Sequence, residues 1–292
     1  MQKKVLLIYK NHVTETLEYI QEQMAQNDIA LDFLQFHTLN VLLENGKEPK
    51  IFQMDKELSK YDLYFFRTTT PYILDTFPTW YPDSQFIFPA TPHKKQDKLW
   101  MMSIFHHNKL PIPKTLGIST QSFSSNFDHI ETHFSYPFVL KEITGAHGEQ
   151  VFLVKNRDHL LSFEKSDIIN HNRPILIQEL IPNDGDFRVI IAGNKYRTSF
   201  FRKGAKGDWR NNTSLGGELI QQELPEQYQL IAEDACKAVE MPLAGIDIIL
   251  NKNTNLPYIL EINPAFQITS NNGEYIEKAN IVIKFLKEQL RD

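Results

Sequence analysis

Cysteine is nearly missing from this 292-residue chain, where Cys236 stands alone. A single thiol excludes an internal disulfide framework and points to a reducing, cytoplasmic setting. Cys236 shares a helical face with Ala232, Ala235 and Val239, so it reads as core rather than as a nucleophile. Long apolar runs are missing too. No stretch approaches the roughly 18 residues of a membrane span, so no membrane partner is expected. The first residues, Met-Gln-Lys-Lys-Val-Leu-Leu-Ile-Tyr, are too short an apolar run for a signal peptide and read as a first strand. There is no basic excess: 31 Lys+Arg against 36 Asp+Glu leave a net charge of −5. That argues against nucleic acid as the main partner. Internal repeats and low-complexity tracts do not occur.

The chain does have ample core material. It is 41% hydrophobic and 23% charged, which suits one large globular domain or two to three small ones. Residues 1–92 read as a small α/β unit. Its strands are expected at Val5–Tyr9, Ile29–Phe36, Tyr61–Phe66 and Gln85–Phe88. A helix over Thr14–Gln26 carries Leu17, Ile20 and Met24 on one face. Phe33, Phe36, Tyr64, Phe65 and Phe66 read as its core. Arg67 follows the third strand, and ligands gather at strand carboxyl ends in open α/β sheets. Arg67 is therefore a candidate substrate contact, with a plain polar loop as the alternative.

Thr91–Asp97, with Pro92, marks a boundary. A helix over Asp97–Asn108 carries Lys98 in its first turn. Leu110–Thr115 is a stiff extended linker. The strand Phe138–Lys141 ends in a lysine and runs into a loop holding Gly145 and Gly148, before a strand at Gln150–Val154. Such a loop can cover phosphates, because small residues admit backbone N–H groups and the lysine supplies charge. An ordinary hairpin would look similar, and the pattern is not a P-loop. Pro174–Ile181 is an apolar strand with Gln178 and Glu179 near its end. An adenine edge can meet backbone groups there, or the polar pair simply ends a buried strand. Phe187–Ile191 and Lys195–Arg202 form a hairpin with Arg188 and Arg202 at its open end. With Lys203 and Arg210 following, these cations are either solvated or meet phosphate or carboxylate. A helix is expected over Gln227–Met241 and another over Lys278–Leu290.

Between those helices Gly245–Leu250 and Tyr258–Asn263 read as a hairpin. Glu261 and Asn263 share a face, and a turn near Thr254 sets Asp247 opposite Glu261. Close carboxylates repel unless a cation sits between them. An oxygen-only set suits Mg²⁺. The alternative is two solvated positions on an exposed strand.

In this order the parts resemble the ATP-grasp superfamily, and within it the RimK-like carboxylate–amine ligases. The resemblance runs from about Pro92 onward. It is carried by Asp97-Lys98-Leu99, Leu110–Thr115, Tyr136–Lys141, Gln178–Ile181, Gly185–Arg188 and Arg202. Trp209–Asn212, Gly216-Gly217, Gly245–Asp247 and Glu261–Asn263 complete it. It implies an α/β (α+β) ATP-grasp fold with a preceding α/β domain at 1–92. A small central lid domain at 93–176 and an antiparallel-sheet domain with the metal site at 177–292 would follow.

The resemblance also implies roles. Lys98 and Lys141, with the Gly145 and Gly148 loop, would hold ATP phosphates. Gln178, Glu179, Leu180 and Ile181 would hold adenine, and Asp186 the ribose or substrate. Arg188, Arg202 and Arg210 would stabilise the γ-phosphate, the acyl phosphate or a substrate carboxylate. Asp247, Glu261 and Asn263 would bind two Mg²⁺, replaceable by Mn²⁺, with Asn212 close by. The implied activity joins a carboxylate to an amine through an acyl phosphate, on an amino acid, peptide or protein. A homo-oligomer fits the family as well. A phosphotransferase, or a regulator without catalysis, would share the same nucleotide residues. Segments 142–149 and 203–215 would close over ATP. Two departures touch the acceptor side: Pro264-Ala265-Phe266-Gln267 replaces the Ser-Pro-Gly of many relatives, and Ser214-Leu215 replaces their His-Arg pair.

Overall fold

The computed structural model describes residues 2–10, 13–58, 60–68, 70–88, 97–143, 150–166, 174–205, 209–211, 217–264, 266 and 274–290. The chain opens with β1 (Lys3–Tyr9), α1 (Glu15–Ala25) and β2 (Ile29–Gln35). Then come β3 (Leu39–Leu42), β4 (Lys50–Gln53), β5 (Lys56–Glu57), β6 (Leu63–Arg67), α2 (Pro71–Trp80) and β7 (Gln85–Ile87). One sheet has the order β2-β1-β6-β7, with every pairing parallel. Val5, Leu6, Leu7 and Ile8 are all fully buried, as a parallel strand covered on both faces requires. Helix α1 buries Leu17, Ile20 and Met24 against it. The path from β1 turns to β2 on one side, while β6 lies on the other. The gap between β1 and β6 is thus a topological switch point, where Tyr9 and Arg67 stand in register at the carboxyl ends.

The small antiparallel sheet β3-β4-β5 and the helix α2 do not announce themselves in the sequence. The three strands have four residues or fewer and little alternation, and Pro78 lies inside α2.

Next are α3 (Lys98–His107), β8 (Thr115–Ile118), α4 (Phe127–His133), β9 (Phe138–Glu142), β10 (Val151–Val154), α5 (Arg157–Ser162) and β11 (Ile175–Glu179). Asp97 caps α3 by accepting from the Trp100 N–H at 2.7 Å. The strands form a second sheet, β10-β9-β11-β8, with antiparallel pairings. Phe138 and Leu140 of β9 pack with Phe127, Ile130 and Leu160. Strand alternation sends Val139 and Lys141 to the opposite face.

The remainder is β12 (Asp186–Ala192), β13 (Lys195–Lys203), β14 (Glu218–Gln221), α6 (Glu226–Ala238), β15 (Leu243–Leu250), β16 (Pro257–Asn263) and α7 (Glu274–Gln289). Helix α6 stops three residues short of the expected Met241. Glu240 turns left-handed at φ 56°, and Pro242 follows. Helix α7 starts four residues before the expected Lys278.

The third sheet has the order β14-β13-β12-β15-β16, antiparallel throughout. One face carries Val189, Ile191, Ala244, Ile246 and Ile248, which pack on α6 and on Phe105 of α3. The other face is divided. At one end Ile190 and Phe200 are covered by Val282 and Phe285 of α7, which also reach Val5 and Leu7 of β1. At the other end polar residues are left facing the second sheet. Among the described residues no helix is long and apolar enough to cross a membrane.

Candidate active site

Hydrogen-bond register fixes the ionic residues. Across β15 and β16, Asp247 pairs with Glu261 and Gly245 with Asn263. Across β12 and β15, Arg188 pairs with Asp247. Across β12 and β13, Asp186 pairs with Arg202. All these side chains stand on one face, because directly opposed residues share a side. Arg202 grips Asp186 with Nε–Oδ1 at 2.8 Å and Nη2–Oδ2 at 2.6 Å, and its Nη2 is 2.9 Å from Asp247 Oδ2. Against the cost of burial, Asp247 and Asp186 hold Arg202 above its ordinary range, so it stays cationic.

Two lysines approach from the second sheet. Lys141 of β9 and Lys98 of α3 are both buried. Burial pushes Lys141 down to about 8, Glu261 and Asp247 pull it back, and Lys98 adds to the fall. Burial pushes Glu261 up and Asp247 adds to this, against Lys98, Lys141 and Arg188. Lys98, Lys141, Asp247 and Glu261 border one volume, and Arg188 pairs with Asp247 beside it.

That volume is a cleft between the second and third sheets. Lys98, Lys141, Asp186, Arg210, Asp247 and Glu261 line it, and Gln178 to Ile181 bound it. Its walls grade from apolar to ionic. On β9 the sequence is Val139 then Lys141, and on β15 it is Ile249 then Asp247 when read toward the charged end. Leu260, Ile181 and Pro113 complete the apolar part. Sequence reading missed those apolar walls. Their signal was present in the alternation of β9 and β15, but nothing along the chain said that the two strands face each other.

Two adenine candidates are already engaged. Gln178 Nε2 donates to Thr115 Oγ1 at 2.8 Å. Glu179 Oε1 accepts from the Lys114 N–H at 2.7 Å. Their side chains therefore brace the β8–β11 junction, and the backbone from Glu179 to Ile181 borders the cleft. Gly145, Gly148 and Asn212 lie outside the described residues, as do Gly216, Ser214 and most of both expected closing segments.

The oxygen set fits a hard divalent ion. Arg188 Nε lies 2.7 Å from Asp247 Oδ1 without the alignment of a hydrogen bond, so that buried oxygen keeps its acceptor capacity. Glu261 and Asn263 stand on adjacent positions of the same face.

Two antiparallel sheets enclosing one such cleft are the ATP-grasp arrangement. The RimK-like ATP-grasp domain matches residues 95–288, and the chain belongs to that family. It is similar to Beta-citrylglutamate synthase B of Danio rerio, 30% identical over 170 residues, covering 57% of this chain and 41% of that protein. It is also similar to a protein of Mannheimia succiniciproducens named "Probable alpha-L-glutamate ligase", 30% identical over 160 residues, 53% of this chain and 52% of that one. The matched part is thus about half the length of these relatives or less. The fold is shared with macrocyclase MdnC bound with precursor peptide MdnA from Microcystis aeruginosa. There the TM-score is 0.69 and the identity 16%, over 96% of this chain and 98% of that one. A Chryseobacterium gregarium RiPP-associated ATP-grasp ligase in complex with ADP and a leader and core peptide gives 0.71 and 15%, over 98% and 97%.

Proposed function

We propose that this protein is an ATP-dependent ligase that activates a carboxylate as an acyl phosphate and joins it to an amine, releasing ADP and phosphate. The carrying observation is the graded cleft: an apolar slot for a base leads to Lys98, Lys141, Arg210 and the Arg188 and Arg202 that pair with Asp247, with paired carboxylates for the metal of a triphosphate. Family membership and the ligase names of the relatives support the same reading.

In this reading Val139, Ile249 and Leu260 hold adenine, and the Glu179–Ile181 backbone meets its edge. Lys98 and Lys141 hold the phosphates. Arg188, Arg202 and Arg210 face the transferring phosphoryl group and the substrate carboxylate. Such transfer depends on positioning and charge rather than on a protein nucleophile. Asp247, Glu261 and Asn263 would hold two Mg²⁺, with Mn²⁺ as a substitute, and the metal supplies charge neutralisation of the phosphates. Arg188 and Arg202 neutralise Asp247 directly, which keeps the acidic face in place for nucleotide. The second substrate is an amino acid or a peptide, as the names of the relatives and neighbours suggest. We extend the reading to a cytoplasmic, homo-oligomeric enzyme with domains at 1–92, 93–176 and 177–292.

The test is mass spectrometry of the protein with ATP, Mg²⁺ and mixed amino acids and candidate peptides, scoring ADP and new covalent products. A product formed with loss of water, alongside ADP and free phosphate, is expected. A stable phosphorylated product would make the protein a phosphotransferase instead.

A further inference from the structure

Four cations of the site stand on regular elements: Lys98 on α3, Lys141 on β9, Arg188 on β12 and Arg202 on β13. Arg210 does not. Residues 209–211 belong to no helix or strand, yet Trp209, Arg210 and Asn211 all line the cleft. An arginine side chain has many rotamers, so its aim depends in the first place on how the backbone beneath it is held.

Asn183 provides a hold. Asn211 Nδ2 donates to Asn183 Oδ1 at 3.0 Å, across 28 residues of chain. The other end of the Asn183 amide is used as well: its Nδ2 donates to the Ile181 carbonyl at 2.9 Å. A carbonyl only accepts, so this bond sets which way the amide lies and turns its oxygen toward Asn211. The backbone around Asn183 is fixed on three sides. The Glu179 N–H donates to the Lys114 carbonyl at 3.1 Å, just before β8. The Pro182 carbonyl accepts from the Lys252 N–H at 2.8 Å, in the turn between β15 and β16. Gly185 then brings the chain against β13, where a Cβ would lie 2.5 Å from the Arg202 carbonyl oxygen. Asn183 is thus the fixed partner of the pair, and Asn211 is the one being placed.

Both amides line the cleft. Asn183 stands two residues after Ile181 at the base edge, and Asn211 directly follows Arg210. Their hydrogen bond ties the wall that meets adenine to the cation that faces the transferring phosphoryl group. A misplacement of about 1 Å can cost on the order of 10²-fold in rate, so one bond between two amides is enough to govern turnover. We propose that Asn183 is a positioning residue, acting through Asn211 to hold Arg210 in line with the transferring phosphoryl group. This rests on the ligase reading above and adds what aligns one of its cations.

Asn183→Leu keeps the size of the side chain and removes both of its hydrogen bonds. ADP formation is measured with ATP, Mg²⁺ and the mixed amino acids and candidate peptides. The kcat is expected to fall by about tenfold or more while KM for ATP stays within about twofold, because the base slot and the two lysines are untouched. A merely structural role would not give that split. On an Arg210→Ala background, Asn183→Leu should change kcat by less than about twofold, since both residues act at one point. A second readout needs no second substrate. Trypsin cuts after arginine, and with AMP-PNP and Mg²⁺ bound Asn183→Leu is expected to speed cleavage of the Arg210–Asn211 bond by at least about threefold. If Asn183→Leu does not fold, Asn211→Ala removes the same bond from a segment outside the helices and strands, and the same kcat split and faster cleavage are expected. Unchanged kcat in a folded variant of an active wild type overturns this inference and leaves the ligase reading standing. Unchanged cleavage after Arg210 overturns it too, as does a full further loss on the Arg210→Ala background. A wild type that binds no AMP-PNP and makes no ADP overturns the ligase reading itself, and this inference with it.

Discussion

Arg202 and Asp186 face each other across β12 and β13 and are joined by two hydrogen bonds, at 2.8 and 2.6 Å. Both are buried, and Arg202 also touches Asp247. Removing one partner of a buried pair leaves an uncompensated charge, which costs about 3–5 kcal/mol. Arg202→Met strands two carboxylates at once, so a loss at the upper end of that range is expected in urea denaturation. Adding Asp186→Asn should restore part of it. A single variant as stable as wild type would show that the pair does not form in solution.

Glu261 and Lys141 approach the same volume from different sheets. Glu261→Ala and Lys141→Ala are each expected to lower ADP formation by at least about 10²-fold, the scale of losing one preorganised charge contact at a transferring group. Far-UV circular dichroism should match wild type, because neither residue sits in a hydrophobic cluster. Normal turnover in either variant would remove that residue from the phosphate site.

Gly245 has no room for a side chain. A Cβ there would press on Phe266 at 2.8 Å and on Arg188 at 3.1 Å. Gly245→Ala is expected to destabilise by about 1–3 kcal/mol, the range for overpacking a fixed core. Thermal denaturation measures this, and an unchanged midpoint would mean that Phe266 is free to move aside.

Cys236 is fully buried on the face of α6 that packs on the third sheet. Burial pushes its thiol up, with Glu233 adding to the rise, so the thiolate is scarcer than for a free cysteine at any pH near 8. No reaction with a disulfide reagent is expected at pH 8 until urea unfolds the chain. Prompt labelling of the native protein would contradict the packing.

Much of this site could be read from the chain. Asp247 and Glu261 do face each other, but the pairs nearer the turn run one residue out of that register, and a β-bulge between Asp247 and Ile248 sets the two carboxylates opposite, which the turn alone would not do. Asp97, Lys98 and the strand carrying Lys141 fall where apolar patterning put them, though the strand runs one residue further, to Glu142. Glu179 shows the limit of such reading. Its place at a strand end is visible in the sequence, but the partner of its side chain is not: Lys114, 65 residues away, donates its N–H to one carboxylate oxygen. The short strands β3 to β5 were missed because few residues carry too little alternation to detect.

Local order along the chain thus specified the elements, their faces and the acidic hairpin, since strand alternation and turn chemistry act over a few residues. Four things depended on contacts between distant segments: the partner of each charge, the opposition of Val139 to Ile249, the covering of Gly245 by Phe266 and the hydrogen bond from Arg67 to the Phe266 carbonyl. Burial and register across sheets decide these, and neither is a property of any short stretch.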